Sequence, residues 1–260
     1  MTLQLDPRRV AMLREMGLQL LPPIAPPAAQ AAVEPSAPPA SLAAAAAPVA
    51  RPVADASAAA PAPVAVVPPG AIASLDWAGL QAAVQDCRAC GLCESRRNAV
   101  FGTGPATAEW LIVGEAPDED ADAAGEPFVG QDGQLLDNML RSLGLDRRRN
   151  AYVANVLRCR PPGGRNPEPA ELAQCEPFLR RQVELLQPRI ILAMGRFAVQ
   201  SLLQTTEPIG RLRGRVHRYH DVPLVVTFHP AYLLRNQPDK AKAWADLCLA
   251  MDLLEGRVAG

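Results

Sequence analysis

Apolar and polar positions are patterned in two different ways along the chain, and the change falls near residue 70. Downstream of it, strand-like and helix-like runs alternate. Trp77, Leu80 and Val84 share one face of a helix that starts around Ser74 to Trp77. Trp110 to Gly114 is an unbroken apolar run closed by glycine, the pattern of a strand buried on both faces. Leu135, Leu136, Met139, Leu140 and Leu143 have helical spacing and stop at Gly144. A strand is predicted over 152–157, a helix over 171–186, a strand over 189–194 and a short helix over 196–203. A fourth strand over 224–228 and an amphipathic helix over 240–254 complete the series. This alternation predicts an α/β fold: three α/β/α layers around a central four-stranded, mostly parallel sheet. Such sheets bind ligands beyond the carboxyl ends of their strands. Here those ends carry Gly114 to Pro117, Asn155, and His229 with Pro230.

Upstream, residues 22–70 are almost entirely Ala, Pro and Val, with no aromatic residue and only Glu34, Arg51 and Asp55 charged. Such a stretch has too little apolar side-chain surface to offset its ordering entropy, so a disordered linker is expected. Residues 1–21 space Val10, Leu13 and Leu20 for a short amphipathic helix, a possible tether for a protein partner. The folded domain is then 71–256. Arg14 and Glu15 interrupt the only run that resembles a secretory signal, and prolines break the Ala-rich stretch. The expectation is a cytoplasmic protein with no membrane span.

The formal net charge of −1 gives no general basic coat, but it hides segregation. Acidic residues gather between Glu115 and Glu126. Arginines gather at Arg141 to Arg149, Arg158 to Arg165 and Arg211 to Arg218. These three clusters are candidate phosphate contacts.

In a reducing compartment, clustered cysteines point to metal rather than disulfides. Cys87 and Cys90 form a Cys-x2-Cys pair after a helix. Cys159 and Cys175 flank the Pro- and Arg-rich loop from Arg160 to Pro167. Four such thiolates suit zinc or a [4Fe–4S] cluster, and spacing does not choose between them. Cys93 is a competing ligand, whereas Cys248 reads as a core residue.

The segment Gly114-Glu-Ala-Pro, Phe128, Asn155, and His229-Pro-Ala-Tyr-Leu-Leu-Arg235, with the four cysteines in this order, closely resembles the family 4 (iron–sulfur) uracil-DNA glycosylases. The resemblance spans about 80–254. It implies a monofunctional enzyme that hydrolyses the N-glycosidic bond of deoxyuridine in single- or double-stranded DNA. An abasic site remains, as in base excision repair. It also implies a [4Fe–4S] cluster on Cys87, Cys90, Cys159 and Cys175, and action as a monomer. Under the same resemblance Glu115 and His229 are catalytic, and Ala116, Phe128 and Asn155 bind the base. Leu233, Leu234 and Arg235 belong to a loop that meets DNA.

Two positions depart from the family pattern. Asp118 stands where glycine is common, and Ala121 where a carboxylate is usual. Asp118 is expected to narrow the site or alter turnover, with Glu119, Asp120 or Asp122 as substitute acids. The alternatives are a relative that binds nucleic acid with weakened catalysis, and a zinc-stabilised interaction domain.

Overall fold

The computed structural model describes residues 69–257. The expected helix over 1–21 and nearly all of the expected linker lie outside them. The last two linker positions, Pro69 and Gly70, begin a helical turn, α1 (Pro69–Ile72).

Five strands form one sheet: β1 (Trp110–Gly114), β2 (Ala151–Asn155), β3 (Ile190–Met194), β4 (Val216–Tyr219) and β5 (Val222–Thr227). Their order is β2-β1-β3-β5-β4, parallel throughout except for the antiparallel pair β4–β5. The expected four-stranded sheet is therefore corrected to five. β4 escapes the sequence pattern because His217 and Arg218 interrupt it. Its hairpin turn uses His220 and Asp221 at positive φ rather than the Asn-Gly that usually marks such turns.

The strands β1, β2 and β3 are buried on both faces, so their side chains alternate between two cores. Trp110, Ile112, Val153, Leu192 and Val225 face α5 (Gly130–Ser142), α9 (Pro230–Arg235) and α10 (Lys240–Leu254). Leu111, Val113, Ala154, Ala193 and Val226 face α6 (Pro169–Leu186), α7 (Arg196–Leu203) and α8 (Ile209–Leu212). These are the three layers. A smaller cluster packs α2 (Trp77–Gln85) through Leu80 and Val84 against Phe101 and Phe178 of α6.

The short helices α3 (Leu92–Ser95) and α4 (Glu119–Ala124) flank the loops that carry the candidate chemistry. Among the described residues no helix is long and apolar enough to cross a membrane.

The order of strands fixes where a ligand fits. From β1 the chain goes to β2 on one side and later returns to β3 on the other, so the loops leaving β1 and β3 diverge and leave a crevice between them. Glu115 and Gly195 sit on those two loops.

Candidate active site

Gly114 ends β1 directly opposite Asn155, which ends β2. A Cβ on Gly114 would lie 2.4 Å from Phe128 Cζ and 2.5 Å from Asn155 Oδ1, so only glycine lets these two groups approach the strand end. Asn155 is 2% exposed, and its carboxamide pairs with no other described residue. A carboxamide enclosed at a strand end with its hydrogen-bonding groups uncommitted is available to a ligand.

Phe128 is held in a left-handed backbone conformation, φ 54°, that costs a non-glycine residue roughly 1–2 kcal/mol. Arg147 secures that turn. Its guanidinium donates to the carbonyls of Pro127 (3.2 Å), Phe128 (3.3 Å) and Gly133 (3.3 Å), while Nε donates to Asp137 at 2.7 Å. Gly133 allows the close passage, because a Cβ there would overlap the Phe128 carbonyl. The Phe128 ring stacks on His229, with centroids 5.1 Å apart and planes 23° apart.

His229 caps the N-terminus of α9. Its Nδ1 accepts from the Ala231 amide at 3.2 Å, which places the proton of the neutral ring on Nε2. Burial, aided by the nearby Arg235 charge, pulls its pKa down to about 4. At neutral pH the ring is therefore an uncharged donor through Nε2–H.

Glu115 bridges the crevice. Its Oε1 accepts from the Phe197 amide at 3.0 Å, at the N-terminus of α7. Gly195 makes room, since a Cβ there would lie 2.5 Å from the same oxygen. Burial raises the pKa of Glu115, against the lowering effect of the Phe197 and Arg196 amides. The Ala116 side chain turns the other way and packs against the cysteine cluster.

The structure gives Asp118 a local role: it is the N-cap of α4, accepting from the Ala121 amide at 2.8 Å. Its φ of −87° needs no glycine. Of the candidate substitute acids, Asp122 is buried and bound to the Arg97 amide, and Glu119 pairs with Arg160 at 3.0 Å. Asp132, unremarked in the sequence, lies in the field of Asp118 and Asp120. Burial first, and those charges second, push its pKa up to about 6.

The arginine clusters are corrected in part. Arg158 is 1% exposed, so it cannot reach phosphate. Arg147 clamps the Phe128 turn, Arg165 forms a two-pronged pair with Glu171, and Arg213 pairs with Asp246. Leu233 is likewise corrected: it is fully buried in the core, because the face of α9 that carries it packs on the sheet side of the helix layer. Leu234 is half-buried, and Tyr232 and Arg235 are exposed.

Arg96, Arg147 and Asp132 carry no motif of their own. They act on backbone carbonyls, thiols or neighbouring acids brought together only by folding.

All six cysteines are free thiols. Cys159 and Cys175 are buried with Leu92 and Leu157, and Cys90 packs against them. The thiols lie within one another's electrostatic reach. Burial raises the pKa of Cys90, and the charges of Cys87, Glu171 and Cys93 add to the rise. Burial also raises Cys159, with Cys90 and Cys87 contributing, and Cys175 is pushed up to about 12 by burial. Arg96 Nη1 donates to Cys159 Sγ at 3.0 Å. Among the described residues no group of three or more His, Cys, Asp or Glu side chains is arranged to hold a single metal ion.

Comparison with known proteins gives a consistent result. The sequence profile of the uracil DNA glycosylase superfamily matches residues 101–248. The type-4 uracil-DNA glycosylase of Archaeoglobus fulgidus is 42% identical over 159 residues, which cover 58% of this chain and 79% of the relative. That of Thermotoga maritima is 39% identical over 161 residues, 61% of this chain and 83% of the relative. That of Pyrobaculum aerophilum is 36% identical over 183 residues, 67% of this chain and 93% of the relative.

Proposed function

The chain belongs to the type-4 uracil-DNA glycosylases of the uracil DNA glycosylase superfamily, and we propose a residue-level account of how its pocket excises uracil. It is a monofunctional DNA-repair hydrolase that cleaves the N-glycosidic bond of deoxyuridine and leaves an abasic site.

The observation that carries the account is the buried, unpartnered carboxamide of Asn155 facing the ring of Phe128. The scissile bond is shielded inside a duplex, so the nucleotide is turned out of the stack before chemistry. Phe128 then offers a flat apolar face, which holds any base without choosing. Asn155 chooses. Its amide donates to uracil O4 and accepts from N3–H, whereas cytosine presents the opposite pattern at both atoms.

As the bond breaks, negative charge grows on the uracil and positive charge on the sugar. The Nε2–H of His229 donates to uracil O2, and being fixed by the Ala231 amide it needs little reorganisation as that charge develops. Because the ring is neutral, it stabilises the anion by a hydrogen bond rather than by transferring a proton. Glu115 keeps one oxygen on the α7 amides and turns the other towards the attacking water, while its charge favours the cationic sugar. At the surface, Leu234 fills the space left by the base and Arg235 meets phosphate.

The four thiols fit a [4Fe–4S] cluster better than zinc. A single zinc with Zn–S bonds of about 2.3 Å draws its thiolates to within about 4 Å of one another. Here the thiols raise one another's pKa, yet among the described residues no three are arranged around a single ion. The buried guanidinium of Arg158, with its Nε left unpaired and only neutral acceptors on its other nitrogens, also calls for an anion beside Cys175. Cys87, Cys90, Cys159 and Cys175 would hold the cluster, which would tie the knuckle to the loop between Cys159 and Cys175 and so add to folding stability.

The test is release of uracil from a labelled oligonucleotide holding one deoxyuridine, beside matched strands with cytosine or thymine. Release from the first alone, with an alkali-labile abasic product, is the expected result. No release at enzyme in excess of substrate contradicts the account.

A further inference from the structure

We propose that Arg96 and Arg158 form a two-sided guanidinium cradle that balances the negative charge of the cluster on Cys87, Cys90, Cys159 and Cys175 and raises its reduction potential. This inference rests on the cofactor reading above.

Arg96 follows the cysteine knuckle and reaches across it. One nitrogen donates to Cys159 Sγ at 3.0 Å, and the other donates to the Gln85 carbonyl at 2.6 Å, just before Cys87. The same guanidinium lies in the field of Cys87 and Cys93. It therefore links the Cys159 thiol, 63 residues further along the chain, to the backbone that leads into the Cys87–Cys90 knuckle.

Arg158 approaches from the interior. Its side chain donates to Phe101 O at 3.0 Å and to Gln182 Oε1 at 2.5 Å, and neither acceptor is charged. Its backbone amide donates to the Cys175 thiol, and its guanidinium lies in the field of Cys175 first, then of Tyr152 and Cys159. A fully buried cation without a carboxylate is expensive to keep, so an anionic partner at the thiols explains its place.

Four thiolates outweigh the charge of an oxidised [4Fe–4S]2+ core by two, and two guanidiniums restore balance. Adding one electron to the core makes the site more negative. Positive charge and N–H···S contacts therefore favour the reduced form and move the potential upward. Partners of this kind also hold the ligands in place, and their loss commonly costs 10- to 100-fold in metal affinity.

The experiment uses the full chain purified without oxygen, as wild type, Arg96→Gln and Arg96→Lys. Iron and sulfide per chain, the rate at which visible absorbance fades in chelator, and the reduction potential by voltammetry are measured. Arg96→Gln is expected to have a more negative potential than wild type and to lose its cluster roughly 10- to 100-fold faster. Arg96→Lys keeps the charge but not the two-pronged reach, so its potential should lie between the two. It also keeps the test open if the Gln variant does not fold. Equal potentials in wild type and variants overturn the inference alone, even if retention differs, since Arg96 would then be only a cross-link. A wild-type chain without iron and sulfide overturns the cofactor reading and the inference together.

Discussion

In the base pocket, uncharged polar groups surround a neutral aromatic ring: the Asn155 carboxamide lies beside the strand end that Phe128 covers, and His229 stacks on Phe128 with its Nδ1 committed to the Ala231 amide. In the thiol site charges crowd together, with cysteines that raise one another's pKa and arginines set against them. Both regions grow from the same strand ends, since the amides of Val156 and Leu157 bond the carbonyls of Gly114 and Glu115 just before Cys159. The contrast separates two tasks. A site that must accept and release a neutral base keeps uncharged donors and acceptors waiting. A site that must keep an anion permanently surrounds it with cations and buries it.

Breaking the pocket should therefore cost turnover and spare the fold. Removing the His229 donor in His229→Ala is expected to slow uracil release by about 10²- to 10³-fold, the usual cost of one donor to a developing anion. Single-turnover rates at saturating enzyme check this.

The surface of α9 sharpens the comparison with a pair of neighbours. Leu233→Ala opens a cavity in the core and should lower stability by about 2–5 kcal/mol in chemical denaturation. Leu234→Ala, at a half-buried position, should cost less stability than Leu233→Ala and slow release from duplex more than from single-stranded DNA.

A smaller effect concerns pH, where two groups pull in opposite directions. His229 falls to about 4 from an ordinary 6.5, so between those values the unfolded chain binds the extra proton and stability is lost as pH falls. Asp132 rises to about 6 from 3.8, so between those values the folded chain binds the extra proton and stability is lost as pH rises. The His229 shift is worth on the order of 3 kcal/mol at most, and the Asp132 shift less, because that carboxyl is partly open to solvent that screens it. Relative to wild type, His229→Asn should lose stability as pH rises from 4 to 6. Asp132→Asn should lose it as pH falls over the same range. Thermal melts across that window check both slopes.

Much of this was legible in the sequence. The double-sided apolar runs at Trp110 to Gly114 and Ile190 to Met194 could only be central strands, and their ends marked the crevice. Glu115, Phe128, Asn155 and His229 were visible because each stands in a contiguous strand-end or turn motif. Cys87 and Cys90 were visible by spacing. The roles of the arginines were not, because a cluster in sequence says nothing about direction: Arg158 points into the core while Arg160, two residues on, reaches Glu119 at the surface. Leu233 and Leu234 are adjacent, and only the packing of α9 decides which one is buried. Asp118 looked like a threat to the pocket, yet its side chain caps α4, a role open to aspartate wherever φ is negative.

The most direct test of the pocket is uracil release by Asn155→Ala beside wild type, with iron content and melting temperature measured on the same preparations. The account predicts that release falls by at least about 10²-fold while iron and melting temperature hold, because the group removed serves the base and not the fold. Release at the wild-type rate would contradict it, since uracil would then be recognised without the one buried amide that faces the stacking ring.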